Sequence, residues 1–185
     1  MLAGAIGMGL AKAGVNVVMA GRRKENTLAN VNKIKEAGAE ARMFIMDALD
    51  RDMIRETCNY VVSHYDGIDI LVNAAGGNVP GATIAPGQSV FNMKMEDFDK
   101  VSDLNYKACV LPTLEVGKIM TEQQKGSVIN ISSMAATRAI TRVIGYSAAK
   151  AAVANFTQWM AMEMGLKCGG KIRMNYPGAS PEVSE

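Results

Sequence analysis

Residues 127–150 read SVINISSMAATRAITRVIGYSAAK, and they combine a predicted strand, a loop and the start of a predicted helix. The short apolar run at 127–131 is typical of a strand covered on both faces. Residues 132–141 form a loop that opens with two serines, and the helix pattern runs over 145–166. This order places a polar loop at the carboxyl end of a buried strand, directly before a long helix.

Tyr146 and Lys150 lie four residues apart on that helix, so their side chains share one face with Cβ atoms about 5–6 Å apart. An ammonium group held beside the phenol stabilises its tyrosinate form, which suits the tyrosine to proton transfer. The spacing also arises by chance, and a solvated lysine one turn from a tyrosine is the alternative interpretation. The position of the pair, just after a strand-end loop, favours the chemical interpretation.

Outward from this stretch, helix and strand patterns alternate along the whole chain. The predicted strands are short apolar runs, and the helices between them end at glycines or begin at a capping residue, as Asp50 does for the third helix. The predicted strands are 15–19, 42–46, 68–72, 127–131 and 171–175, and the predicted helices are 4–13, 25–37, 50–65, 96–124 and 145–166. Pro112 predicts a kink or break in the fourth helix. The alternation predicts an α/β fold, a Rossmann-like doubly wound parallel sheet that binds ligands beyond its strand ends.

Composition limits the classes of function. The 185 residues are 49% hydrophobic and 21% charged with a net charge of +2, which predicts one folded domain over 1–185 and no nucleic-acid partner. Three scattered cysteines and one histidine favour neither a disulfide framework nor a metal site. Residues 1–11 are apolar but lack a basic leader, and Lys12 ends the run, so we expect no signal peptide, no membrane span and a cytoplasmic location.

Two further polar positions support a site at the strand ends. Asn105 lies inside a predicted helix, where asparagine is unfavourable, and this indicates a local kink or a polar network. Ser133 follows the strand at 127–131 and could hold a substrate oxygen, although a serine that caps a turn is the alternative. Each signal is weak when it is taken alone.

Taken together and in order, these pieces resemble the short-chain dehydrogenase/reductase family from residue 1 to about residue 178. The resemblance rests on a glycine-containing first helix and on spaced motifs, namely Arg22, Asp47, Asn73-Ala74-Ala75-Gly76, Asn105, Ser133, Tyr146-x-x-x-Lys150 and Pro177-Gly178. It implies a dinucleotide-binding domain, a nicotinamide cofactor, a small-molecule substrate and a homo-oligomer. The implied catalytic residues are Asn105, Ser133, Tyr146 and Lys150, and the implied cofactor contacts are Arg22, Asp47, Asn73, Ala74, Gly76, Lys150, Pro177 and Gly178.

Cofactor and substrate follow less directly. The segment Gly21-Arg22-Arg23 carries arginines where an acidic residue would favour NAD, so either NADP or NAD is expected, with NADP slightly favoured. Within the family, the motif details resemble the sugar-acid branch of D-mannonate oxidoreductase (fructuronate reductase). Arg138 or Arg142 could then hold a substrate carboxylate. A 3-oxoacyl-carrier-protein reductase and a non-catalytic remnant that acts as a binding or assembly module are the alternatives.

The chain departs from the family pattern at both ends. The family's opening strand, its glycine-rich turn and its C-terminal strand have no counterpart, so we expect a sheet that lacks the first and the last strand. The absent strand is the central one, and without it the first two strands separate from the others and leave inner edges exposed. We expect the isolated 185-residue chain to bind cofactor weakly and to show little activity.

Overall fold

The computed structural model describes residues 2–177, which divide into two compact units at the junction between Asp66 and Gly67. Helices and strands alternate through both units, and every pair of neighbouring strands runs parallel. The α/β, Rossmann-like class predicted from the alternation is confirmed. Among the residues described, no helix combines the length and the apolar character that crossing a membrane requires.

The first unit contains three helices and two parallel strands. In chain order these are α1 (Leu2–Lys12), β1 (Val17–Gly21), α2 (Lys24–Glu36), β2 (Ala41–Ile45) and α3 (Arg51–Tyr65). Val17 of β1 lies opposite Ala41 of β2, and both belong to a small apolar core with Val31 and Ile34 of α2. The helix α3 begins as predicted, because the Asp50 carboxylate accepts hydrogen bonds from the first-turn N–H groups.

The second unit contains three strands in the order β3-β4-β5, and it holds most of the candidate residues. Its elements are β3 (Ile70–Asn73), α4 (Met95–Ser102), α5 (Ala108–Gln123), β4 (Gly126–Asn130), α6 (Ile144–Cys168) and β5 (Ile172–Asn175), with single 3₁₀ turns at Pro80–Ala82, Val90–Asn92 and Met134–Ala136. Its fully buried apolar side chains include Val101, Met120, Val128 and Val153. The expected separation of the first two strands from the others is also confirmed, since β1 and β2 form a sheet of their own.

The predicted helix at 96–124 is interrupted, but the expected site of the interruption was wrong. The chain leaves α4 for a π-helical turn at Asp103–Lys107 and resumes as α5, which continues through Pro112. Pro112 lies only one turn into α5, where its missing N–H removes a single hydrogen bond next to an already irregular turn. The signal from Asn105 was the better guide, because Asn105 lies within the π turn.

Two glycines of α6 test how tightly this helix packs. A Cβ on Gly145 would lie 2.6 Å from Val101 Cγ1, whereas a Cβ on Gly165 would meet no atom within 4 Å. We expect Gly145→Ala to lower the free energy of unfolding by about 1–3 kcal/mol through overpacking. Gly165→Ala should raise it by about 0.5–1 kcal/mol, because alanine loses less backbone entropy in a helix. Urea unfolding of both variants measures this difference, and a stabilised Gly145→Ala would contradict the packing argument.

Candidate active site

The candidate residues of the second unit gather where β3 and β4 end and where α5 and α6 begin. Asn73 is the last residue of β3, and its register partner Asn130 is the last residue of β4. Ser133 follows β4, Asn105 lies in the turn before α5, and Tyr146 lies in the first turn of α6. Parallel strands bring these ends to one edge of the sheet, as ligand sites in such folds require.

Asn105 is fully buried, and its side-chain amide pairs with the main chain after β3. Its Nδ2 donates to the Gly77 carbonyl at 2.7 Å, and its Oδ1 accepts from the Gly77 N–H at 3.0 Å. Nδ2 also donates to the Val101 carbonyl at 2.8 Å, one turn earlier in α4. The polar network anticipated from a mid-helix asparagine is therefore present, and it holds the loop after β3 against the π turn.

Gly76 needs to be glycine at this point of the loop. Its φ of 151° is rarely adopted by residues with side chains, and a Cβ there would lie 2.6 Å from Asn105 Oδ1 and 3.4 Å from Lys150 Nζ. The neighbouring Gly77, with φ of 148°, would meet nothing within 4 Å. The loop main chain thus passes close to both the asparagine and the lysine.

Lys150 is 4% exposed, and its Nζ donates to the Ile131 carbonyl at 2.7 Å, just beyond the end of β4. The same Nζ lies 5.7 Å from the centre of the Tyr146 ring. Burial lowers the pKa of Lys150, while the nearby Cys109 thiol acts in the opposite direction. Burial raises the pKa of that thiol to about 12, so it stays protonated and is a poor nucleophile near neutral pH.

Both serines after β4 are engaged, but in different ways. Ser133 Oγ accepts a hydrogen bond from the Ala135 N–H at 3.2 Å and so caps a 3₁₀ turn. A hydroxyl that accepts keeps its own proton to donate, so the capping role and the holding of a substrate oxygen are compatible. The buried Ser132 instead contacts the Lys150 carbonyl at 3.4 Å.

The two arginines proposed for the substrate lie on the exposed loop before α6. Arg142 Nε donates to the Ile84 carbonyl at 2.5 Å, and the Ile84 N–H donates to the Arg142 carbonyl at 2.9 Å. Arg142 also has a φ of 73°, an uncommon value for a residue with a side chain. Arg142 thus ties two loops together, which leaves only its terminal nitrogens for a substrate carboxylate, while Arg138 is exposed.

The remaining proposed cofactor contacts are distributed between the two units. In the first unit, Arg22 forms an exposed ion pair with Asp47 at 3.7 Å. In the second unit, Ala74 is half-buried and Pro177 is exposed, while Gly178 lies outside the residues described. The Asn73 side chain is buried and directs its amide nitrogen into the protein, so a cofactor contact at Asn73 would fall to its main chain.

Several polar residues at this edge were not anticipated from the sequence. Asn130, Thr113 and Thr157 are each at most 1% exposed. The Asn73 amide donates to Asn130 and Thr113, and the Asn130 amide donates to Thr157. The available signal was an asparagine two residues before Ser132, together with threonines on the apolar faces of two helices. No metal cluster of three or more His, Cys, Asp or Glu side chains occurs within residues 2–177.

Comparison with known proteins identifies the family. The sequence profile described as short chain dehydrogenase matches residues 2–179. The chain belongs to the short-chain dehydrogenase family. It is 34% identical over 186 residues to an uncharacterized oxidoreductase of Bacillus subtilis, and 34% identical over 149 residues to one of Haemophilus influenzae. These matches cover 96% and 74% of this chain but only 66% and 52% of the two relatives.

Solved structures of the same family agree with the fold. A structure assigned as a D-mannonate oxidoreductase from Haemophilus influenzae, with bound NAD, superposes with a TM-score of 0.88 at 31% identity. That match covers 98% of this chain and 69% of the other. An NAD⁺-bound xylitol dehydrogenase superposes with a TM-score of 0.85 at 25% identity, and covers 95% and 65% of the two chains. The resemblance to the D-mannonate oxidoreductase branch is confirmed.

The buried lysine predicts a specific dependence of stability on pH. Between its lowered pKa and the ordinary lysine value of 10.5, the folded chain has lost the Lys150 proton and the unfolded chain retains it. Raising the pH through this window therefore stabilises the fold, and below the window the buried charge reduces the free energy of unfolding. Urea unfolding from about pH 7 to 10.5 should show wild type gaining stability relative to Lys150→Met.

Lys167 provides the control on the same helix. It is exposed and bonded to Glu163, which raises its pKa, so its contribution is present below 10.5 and is lost only above that value. Wild type should therefore not gain stability relative to Lys167→Met in the same window. Parallel pH curves for wild type and Lys150→Met would show that burial does not disfavour the Lys150 charge.

Proposed function

We propose that the protein is an NAD(P)-dependent oxidoreductase that interconverts a hydroxyl and a carbonyl group on a small molecule. The observation that carries this proposal is the pair on α6, in which the Lys150 ammonium is fixed to the Ile131 carbonyl 5.7 Å from the Tyr146 ring. Because the chain spans 66% and 52% of its curated relatives, the activity is proposed for the whole protein that carries this sequence.

The described residues fit a nicotinamide dinucleotide at the edge of the second unit. An ammonium group has three donors, and Ile131 is the one hydrogen-bond acceptor that residues 2–177 offer to Lys150 Nζ, so two donors can meet ribose hydroxyls. The Gly76–Gly77 loop presents main chain without side chains beside it, which allows close approach of a ligand. When bound, the cofactor supplies or accepts the hydride.

The protein's own residues then supply and remove the proton on the substrate oxygen. Tyr146 donates its phenolic proton to the substrate oxygen when a carbonyl is reduced, and takes it back when an alcohol is oxidised. The Lys150 ammonium stabilises the tyrosinate that forms between these events. The Ser133 hydroxyl donates a hydrogen bond to the same substrate oxygen, and Asn105 holds the loop after β3 in place and is the proposed anchor of a water molecule in the proton relay.

The test is a comparison of Tyr146→Phe with Tyr60→Phe, a substitution at a tyrosine of α3 whose hydroxyl accepts a hydrogen bond from Arg42 and which is not among the proposed site residues. Oxidation or reduction is followed by nicotinamide absorbance with sugar acids, polyols and a 3-oxoacyl thioester. We expect Tyr146→Phe to lower kcat by about 10²–10⁴-fold because the proton donor is lost. Tyr60→Phe should stay within about twofold of wild type.

Cofactor binding separates the outcomes. The whole protein that carries this sequence should bind NAD(P)H, whereas the isolated 185-residue chain is expected to bind it weakly. Binding is measured by energy transfer from tryptophan, and Trp159 is the single tryptophan of these 185 residues. A protein that neither binds cofactor nor turns over any substrate would refute the proposal and favour the non-catalytic alternative. A Tyr146→Phe variant with wild-type kcat would refute the assignment of the proton donor.

For the substrate, we propose a sugar acid or a polyol. The names of two structural neighbours, a D-mannonate oxidoreductase and a xylitol dehydrogenase, support this class. Arg138 and the terminal nitrogens of Arg142 are the proposed contacts to a carboxylate. The second candidate, a 3-oxoacyl-carrier-protein reductase, is favoured by 32% identity over 165 residues to such an enzyme of Thermotoga maritima, and the thioester in the substrate panel tests it.

For the cofactor, we propose NADP or NAD with a preference for NADP. Structural neighbours with NAD and with NADP support the pair, and Arg22 supports the preference because a guanidinium matches a 2′-phosphate. Arg22→Ala should raise KM for NADP about tenfold and leave KM for NAD within about twofold. Arg55→Ala, on the exposed face of α3, is the control. Equal effects of Arg22→Ala on both cofactors would show that Arg22 does not contact the phosphate.

We also propose a cytoplasmic homo-oligomer. The three cysteines are buried thiols, which supports a reducing compartment. On α6, Ala149 and Val153 are buried within the chain itself and are not available to a second copy. Besides Ile144 at its start, the large exposed apolar residues of this helix are Trp159, Met162 and Leu166 in its C-terminal half, and these three support a contact with a second copy.

A further inference from the structure

Four buried polar side chains link the second unit's strand ends to its two long helices. Asn73 ends β3, Asn130 ends β4, Thr113 lies on α5 and Thr157 lies on α6, and none is more than 7% exposed. Asn73 Nδ2 donates to Asn130 Oδ1 at 2.8 Å and to Thr113 Oγ1 at 2.8 Å. Asn130 Nδ2 donates to Thr157 Oγ1 at 2.9 Å. We call these four residues the Asn–Thr network.

Within this network the asparagine amide nitrogens are always the donors and the threonine oxygens always the acceptors. Each threonine hydroxyl gives its single proton to a carbonyl four residues earlier, Thr113 to Cys109 at 2.8 Å and Thr157 to Val153 at 2.7 Å. Each threonine oxygen can therefore only accept from the network, and the asparagine amides are the donors that it meets. Loss of the Thr157 hydroxyl removes the acceptor of the buried Asn130 amide, which is costly, whereas the Asn73 amide can also donate to the Cys109 carbonyl at 3.3 Å.

The network acts on the same helix that carries the proposed catalytic pair. Tyr146, Lys150 and Thr157 are four and seven residues apart, so they lie on one face of α6. Thr157 bonds to Asn130, and Lys150 bonds to Ile131, the next residue along the chain. Two successive residues of the β4 end thus hold α6 at two points, two helical turns apart.

Apolar contacts alone would leave the helix free to adjust. Hydrophobic packing is non-directional, whereas a hydrogen bond weakens steeply with misalignment. Burying four polar side chains costs desolvation that well-packed aliphatic residues would avoid. Such a cost is offset where geometry has to be specified, and a displacement of about 1 Å at reacting groups can lower a rate by about 10²-fold.

We propose that the Asn–Thr network is a positioning device that fixes α6 on the end of β4, and thereby sets where Tyr146 and Lys150 stand relative to the substrate site. Thr157 and Asn130 are its main positioning residues, and Thr113 with Asn73 extends the same constraint to α5. The proposal rests on the proposed function in so far as it predicts kinetics, but the placement of α6 can be measured without activity.

The experiment compares Thr157→Val, Thr157→Ser and Thr121→Val in the whole protein. Valine matches threonine in shape but lacks the hydroxyl, and serine retains the hydroxyl. Thr121 is the matched control because its hydroxyl also bonds to the carbonyl four residues earlier in α5, and it contacts Met164 of α6 at 3.8 Å without belonging to the network. We expect Thr157→Val to lower kcat by about 10–100-fold with KM within about twofold, because only alignment for the chemical step is lost. Thr157→Ser and Thr121→Val should stay within about threefold of wild type.

Amide hydrogen exchange supplies the readout that is independent of activity. In Thr157→Val, residues 144–152 at the start of α6 should exchange at least about fivefold faster, although they lie up to about three and a half turns from the substitution. Thr121→Val should leave this segment unchanged. A wild-type protein without turnover would refute the proposed function, and the exchange of residues 144–152 would still decide the positioning role.

Two results would overturn the proposal. One is a Thr157→Val protein with the kinetics and exchange of Thr121→Val, and the other is faster exchange confined to the turns around residue 157. If Thr157→Val does not fold, Thr113→Val takes its place, because it breaks the α5 arm of the network. Faster exchange at the π turn, 103–107, together with a lower kcat at unchanged KM, would then support the proposal, and an unchanged π turn would refute it.

Discussion

A positive charge on an almost fully buried side chain is the constraint on which the arrangement of the second unit depends. The Lys150 ammonium is almost fully buried, and the Ile131 carbonyl is the acceptor that receives it. A buried charge is tolerated only where its hydrogen-bond partners are fixed in advance. The end of β4 therefore has to present the Ile131 carbonyl, and α6 has to be placed so that Lys150 Nζ reaches it. The glycine at 76 leaves room beside the same ammonium. Strand end, helix start and loop are thus tied to one side chain.

The same reasoning accounts for the irregular stretch between α4 and α5. A regular helix would carry Asn105 on a continuous spiral, but the π turn places its amide where it pairs with both polar groups of Gly77. The Asn105 side chain thereby gives the loop after β3 the same pair of hydrogen bonds, to one N–H and one carbonyl, that a neighbouring strand would give. The irregular turn at 103–107 therefore fixes the path of the main chain at Gly77, beside the buried lysine.

Much of this could be predicted from local patterns. Alternating periodicities gave the parallel α/β class, the capping role of Asp50 gave the start of α3, and the four-residue spacing of Tyr146 and Lys150 placed them on one face. The break predicted at Pro112 was wrong because a helix accepts proline in its first turns, and the sequence did not show that a new helix begins at Ala108. The partnership of Asn130 with Thr157 was beyond local reasoning, since it joins residues 27 apart whose directions are set only when α6 packs on β4.

The burial of the cysteines has a practical consequence. Cys58, Cys109 and Cys168 come from α3, α5 and α6, so thiols lie in the interior of both units. A thiol reagent reaches them only when the surrounding structure opens, and the rate of modification then reports how often it opens. The Cys109 thiol lies close enough to Lys150 for the two groups to influence each other's pKa. The rate at which Cys109 is labelled would therefore report the opening of the region around Lys150, and the rate at Cys58 would report the opening of the first unit. The chain therefore carries its own residue-specific probes of local unfolding.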